Sequence, residues 1–218
     1  MARMITAIIF DLDGLLVDSE PVWFRVISEI CQRYGLVWTH ADQLKQMGVG
    51  TATWAEYIAQ KLQGRMSRDE AMNEVLSRMA SYYQTGEVRI MPGAREALEH
   101  CAENYKIGLA SGSPKLLINA ALSGADWRRF FSEVVSSDEV DRSKPAPDVY
   151  WEAMKRMGVA ATETVVVEDS GGGILAGKAA GATVVAIPNP QMMPAPEALR
   201  QADAVIDSLF FSVVPLMD

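Results

Sequence analysis

Residues 5–18 read ITAIIFDLDGLLVD, and the fold follows from how that stretch is read. Ile5, Ala7, Ile8, Ile9 and Phe10 form a short apolar run rich in β-branched residues. Such a run suits a strand buried on both faces of a parallel sheet. It stops at Asp11, Leu12, Asp13 and Gly14. Two carboxylates one residue apart, at the carboxyl end of a buried strand, sit where open α/β sheets bind ligands. Neither acid helps a core, and two close negative charges repel unless a cation or proton lies between them. Gly14 lets the backbone turn tightly so that both acids point into the crevice. Taken alone the stretch also reads as a strand and a polar turn; the partner motifs further along decide between the two.

Working outward, the pattern after Asp18 becomes helical. Ser19 can cap, Glu20 and Pro21 fall in the first turn, and Val22, Val26, Ile30 and Tyr34 follow at spacings of four. Helical spacing continues from about residue 39 to residue 84, divided at Gly48-Val49-Gly50 and at Gly64, and Ser67 with Glu70 forms a capping box. From Ile90 the style changes again. Strands are expected at 107–110, 133–136, 164–167 and 183–187, with a further one at 204–206, and helices between them. This alternation predicts a doubly wound, Rossmann-like parallel sheet, an α/β core interrupted after its first strand by a helical insert. The core domain is read as residues 1–17 and 89–218, and the helical cap domain as 18–88.

Composition narrows the classes of function. The chain has 218 residues, 49% hydrophobic and 22% charged, an ordinary globular balance. Its net charge of −8, with no basic run, argues against broad attraction to nucleic acid or an anionic membrane. Cys31 and Cys101 lack CxxC spacing, so neither a disulfide framework nor a zinc site is indicated. No signal-peptide pattern or membrane-length apolar run is present, and the expectation is a cytoplasmic monomer.

Four strand ends carry polar residues that converge at one sheet edge: Asp11 and Asp13, Ser111, Lys144, and Glu168 with Asp169. Together they supply a carboxylate nucleophile, a second carboxyl for proton transfer, a hydroxyl donor, a cation, and acids for a metal. The order DLDG, LASGS, SKPAP and VEDSGGG resembles the haloacid dehalogenase superfamily of aspartate-nucleophile phosphatases over essentially the whole chain. The helical insert resembles that superfamily's first cap type. The phrase DSEPVW is similar to the branch acting on small sugar and polyol phosphates, close to β-phosphoglucomutase.

The resemblance implies that Asp11 attacks phosphorus and that Asp13 protonates the leaving oxygen and later activates water. It implies Mg²⁺ held by Asp11, Asp169 and the backbone carbonyl of Asp13, with Glu168 orienting a bound water. Ser111, the Gly112 N–H and Lys144 then receive the phosphoryl oxygens, and Ser113 beside them is expected to bind substrate. Substrate choice is expected in the cap, at Gly48, Thr51 and Trp54, with Trp23 beside them. All five tryptophans, Trp38, Trp127 and Trp151 included, otherwise read as core or cap packing, and His40 and His100 as structural or surface residues.

Three rivals are weighed. Dehalogenases lack the second motif aspartate and need no metal, whereas Asp13, Glu168 and Asp169 are all present here. Receiver domains are shorter, lack a cap, and have no equivalent of Asp13. A sugar-phosphate mutase shares the core, but Trp23 stands where β-phosphoglucomutases have a histidine, and Gly48-Val-Gly-Thr51 stands where they have a turn followed by arginine. A hydrolase of a small phosphorylated metabolite is the expectation, with phosphoglycolate as another substrate left open.

Overall fold

The computed structural model describes residues 4–46, 51–190 and 192–210. The chain runs β1 (Ala7–Phe10), β2 (Val17–Asp18), α1 (Glu20–Arg33), α2 (His40–Gln46), α3 (Thr51–Lys61) and α4 (Arg68–Gln84). It continues through β3 (Arg89–Ile90), α5 (Ala94–Asn104), β4 (Lys106–Ser111), α6 (Lys115–Ala125), β5 (Glu133–Ser136) and α7 (Asp148–Met157). Last come β6 (Thr164–Glu168), α8 (Gly171–Ala179), β7 (Thr183–Ala186), α9 (Pro196–Leu199) and β8 (Ala204–Val205). Six strands form one sheet in the order β5-β4-β1-β6-β7-β8, and every ladder in it is parallel.

The apolar run of β1 works on both faces because side chains alternate along a strand. Ile8 and Phe10 join Leu98, Leu117 and Ile118 of α5 and α6 on one side. Ala7 and Ile9 join Tyr150, Met154 and Ile174 of α7 and α8 on the other. Helices therefore cover both faces, as the alternation of strands and helices predicts. The first of these clusters runs on without a break into Val26 and Ile30 of α1, Ile58 of α3, and Val75 and Met79 of α4.

Between sheet and helical insert lies an antiparallel ribbon, with Val17 opposite Ile90 and Asp18 opposite Arg89. Two residues a side carry no readable period, so the sequence offers no sign of it. The Ser67–Glu70 capping box is present, with Glu70 N–H donating to Ser67 Oγ at 3.2 Å and Ser67 N–H to Glu70 Oε2 at 2.8 Å. Ser19 is a correction: it occupies the N-cap of α1, but its hydroxyl donates to Asp13 Oδ1 at 2.7 Å instead of capping the helix. Trp151 is another, since 49% of it is exposed; its indole N–H donates to the Ala180 carbonyl at 3.3 Å. Among the described residues no helix is long and apolar enough to cross a membrane.

Ile8 is fully buried at the centre of the sheet, away from the polar strand ends. Ile8→Ala is expected to cost about 3 kcal/mol through lost burial and the cavity left behind, read as a lower urea midpoint with unchanged slope.

Candidate active site

The parallel strands all deliver their carboxyl ends to the same edge, and the polar residues gather there. Asp11 follows β1, with its N–H bonded to the Val167 carbonyl of β6 at 3.1 Å. Lys144 arrives from the loop before α7 and donates to Asp11 Oδ1 at 2.6 Å, Glu168 Oε1 at 2.7 Å and the Ala110 carbonyl at 3.1 Å. Glu168 is wholly buried and accepts from five donors: Lys144, the Tyr150 hydroxyl, the N–H groups of Asp169 and Ser170, and the Ser170 hydroxyl. Both of its oxygens are thus spoken for.

Two glycines make the crowding possible. Gly14 has φ +82°, and a Cβ there would lie 2.1 Å from Asp169 Oδ2. A Cβ on Gly173 would lie 1.6 Å from Glu168 Oε1. The run of three glycines therefore starts α8 while letting its first turn close over the Glu168 carboxylate.

Asp13 sits apart from this trio. Its Oδ1 accepts from Ser19 Oγ at 2.7 Å and from the Tyr83 hydroxyl at 2.8 Å. Its Oδ2 accepts from Ser113 Oγ at 2.7 Å and, weakly, from Ser111 Oγ at 3.4 Å. Ser113 also donates its N–H to Ser111 Oγ at 3.0 Å, so it holds two site residues in place. Burial first, and then the Asp13 charge, pushes the Tyr83 phenol well above its usual pKa, and it remains a donor.

Above these groups lies a cavity of about 250 Å³. It brings together Asp11, Asp13, Ser111, Gly112, Ser113, Lys144 and Asp169 from the strand ends with Trp23, Thr51 and Trp54 from the helical insert. Trp23 and Trp54 meet edge to face, centroids 5.6 Å apart, as one aromatic wall. Gly48 lies outside the described residues. Sequence reasoning missed Tyr83, Tyr150 and the partnership of Glu20 with Gln43. Glu20 lines the cavity and accepts from Gln43 Nε2 at 2.9 Å, while Gln43 Oε1 accepts from Trp38 Nε1 at 2.8 Å. Burial raises the Glu20 pKa.

A family model described as haloacid dehalogenase-like hydrolase matches residues 8–187. The chain belongs to the haloacid dehalogenase-like hydrolases. Hexitol phosphatase B of Escherichia coli K12 is 34% identical over 95% of this chain and 94% of its own length. A bifunctional riboflavin kinase/FMN phosphatase of Arabidopsis thaliana is 31% identical over 96% of this chain, which spans 55% of that protein. Among solved structures, a putative β-phosphoglucomutase from Thermotoga maritima superposes with a TM-score of 0.78 at 27% identity, covering 94% of this chain and 95% of that one.

A divalent cation fits this haloacid dehalogenase-like site on the evidence of its own atoms. Asp11, Glu168 and Asp169 each present an oxygen, all within 4.8 Å of one another. Asp169 Oδ1 is buried and has no hydrogen-bond partner. Burial, followed by the charges of Glu168 and Asp11, drives the Asp169 pKa well up. Burial also lifts Asp11 to about 7, Lys144 opposing and Glu168 and Asp13 assisting. Burial acts on Glu168 too, but the Lys144 charge and its hydrogen bonds outweigh it and leave that pKa lowered. Hard oxygen donors suit Mg²⁺, which would sit with Asp11 and Asp169.

A carboxyl whose folded-state pKa exceeds its unfolded value, about 3.9 for Asp, stabilises the fold below that value and loses this contribution as pH rises through the folded pKa. For Asp11 the loss is complete just above about 7. In EDTA, Tm is therefore expected to fall between pH 6 and pH 8. Mg²⁺ should raise Tm more at pH 8 than at pH 6, and Asp11→Asn should flatten the EDTA slope, all read by calorimetry.

Proposed function

We propose that this chain is a Mg²⁺-dependent phosphatase that hydrolyses small sugar or polyol monophosphates through an aspartyl-phosphate on Asp11. The observation that carries the reading is the single cavity joining Asp11, Asp13, Ser111, Lys144 and Asp169 to the aromatic wall of the helical insert. In this reading residues 18–88 are a cap domain over a core of residues 1–17 and 89–218, and the enzyme works as a cytoplasmic monomer on a small phosphorylated metabolite.

A carboxylate oxygen of Asp11 bonds to phosphorus as the ester P–O bond breaks. Asp13 gives its proton to the departing oxygen, and the alcohol leaves. Water then attacks the phosphoryl group on Asp11 and passes a proton to Asp13, releasing inorganic phosphate and restoring both acids. Ser111 Oγ, the Gly112 N–H and Lys144 bind the phosphoryl oxygens, and Ser113 keeps Ser111 and Asp13 in register. Asp11, Asp169 and the Asp13 backbone carbonyl would hold Mg²⁺, which when bound would supply the positive charge that lets an acidic pocket accept a dianion. Glu168, both of whose oxygens accept hydrogen bonds, also anchors Lys144 and the turn into α8.

The cap side supports a neutral, hydroxyl-bearing leaving group. Among the described residues lining the cavity, Lys144 is the one cation, and residues 47–50 read Met-Gly-Val-Gly and bring none. Glu20 on that wall repels a second anion and suits hydroxyl donors. A bisphosphate intermediate would have no partner there, so hydrolysis is favoured over mutase chemistry, and sugar or hexitol phosphates over phosphoglycolate. Thr51, Trp23 and Trp54 shape the rest of the pocket.

Phosphate release is the test, from hexose, hexitol and glycerol phosphates, phosphoglycolate and a hexose bisphosphate. Release that needs Mg²⁺, stops in EDTA and vanishes in Asp11→Asn is expected, with kcat/KM for a hexitol phosphate about tenfold or more above phosphoglycolate, since an unpaired buried charge costs well over 1.4 kcal/mol. Interconversion of sugar phosphates on adding a bisphosphate primer, without net phosphate release, would overturn the reading.

A further inference from the structure

We infer that Tyr83 is a positioning residue for Asp13, and that the last turn of α4 is held against α6 so that its hydroxyl can do this. The inference rests on the proton-transfer role proposed for Asp13. Tyr83 lies seventy residues downstream in a helix of the insert, yet its hydroxyl meets Asp13 Oδ1 at 2.8 Å. The phenol is buried, with 4% of the residue exposed. A buried tyrosine hydroxyl finds a polar partner, and this one has found the acid that the chemistry needs.

Its position is fixed from the other end as well. A Cβ on Gly124 of α6 would lie 2.3 Å from the Tyr83 carbonyl oxygen, so the backbone of α4 rests directly on that glycine. Thr85 hydroxyl donates back to the Ser81 carbonyl at 3.1 Å, which tightens the same turn. The ring therefore spans a fixed gap between α6 and Asp13. The three short bonds to Asp13 come from three separate elements: Ser19 at the start of α1, Tyr83 at the end of α4, and Ser113 after β4. The two serine hydroxyls turn freely about a single bond. The phenol oxygen lies in the plane of a packed ring and cannot follow a rotating carboxylate. Without it, Oδ1 keeps only Ser19, and the carboxyl gains rotation about its own χ2 at the point where proton transfer needs one orientation.

A residue that orients a general acid matters in proportion to how badly the leaving group needs a proton. The test compares kcat/KM for sorbitol 6-phosphate, whose alkoxide must be protonated, with that for p-nitrophenyl phosphate, whose phenolate leaves unaided. Tyr83→Phe should lower kcat/KM for sorbitol 6-phosphate by about tenfold, a part of the full effect of a general acid. Its loss on p-nitrophenyl phosphate should be at least fivefold smaller. Tyr83→Leu, run beside it with Tm recorded for both, should show the same asymmetry if the hydroxyl and not the ring matters. Asp13→Asn is the reference and should show the asymmetry more deeply. Full activity of Asp13→Asn on sorbitol 6-phosphate would remove the proposed role of Asp13 itself. If Asp13→Asn behaves as expected while Tyr83→Phe loses both substrates equally, or neither, Tyr83 is only a packing residue and this inference fails alone.

Discussion

The Lys144 ammonium sits within 2.7 Å of two buried carboxylates, and the arrangement of the strand ends depends on that contact. Removing each charge from water costs several kcal/mol, and one cation cannot offset every acid placed around it. The protein divides the problem. Glu168 takes four donors besides Lys144 and stays ionised. Asp11 shares Lys144 but is still pushed up by burial, and Asp169 is pushed up as well, with one oxygen unbonded. The deficit of positive charge is concentrated on Asp11 and Asp169, two of the acids that line the cavity. A site built this way suits a cation, which under the proposed function would offset the repulsion between an acidic protein and a phosphate dianion.

Such density of charge needs backbone with nothing attached. Gly14 and Gly173 each stand where a methyl group would overlap a carboxylate. These glycines serve different ends: one supplies a left-handed turn, while the other only makes room, inside the first turn of a helix. Gly124 does for the helical insert what Gly173 does for the site, letting α4 settle on α6. Close approach at three points thus sets where Asp169, Glu168 and Tyr83 end up.

Much of this was legible in the residues themselves. The parity of Ile8 and Ile9 assigns them to opposite faces, and four strand ends carrying polar residues imply strands with a shared functional edge. Site residues could be named because a parallel sheet puts those ends together whatever the loops do. Partners reached through a side-chain hydroxyl were not legible. Ser19 looks like a helix cap, because the turn at Gly14 that brings Asp13 to it is a three-dimensional fact. Tyr83 and Tyr150 lie in helical stretches with no motif around them; the one hint in the residue type is that a buried phenol requires a polar partner. Glu20 likewise passed as a first-turn acid, since its neighbour Gln43 belongs to another helix.

The unbroken apolar cluster from the sheet face into α1, α3 and α4 has a bearing on modularity. Segment 18–88 is contiguous in sequence and bounded by a neat ribbon, which invites exchange between relatives as a cassette. Its last helix, however, is cut to the shape of α6, down to the missing side chain at position 124. A chimera spliced at the ribbon inherits half of a buried interface without its mate. Exchanging the segment between relatives would require carrying the facing surface of α6 along with it.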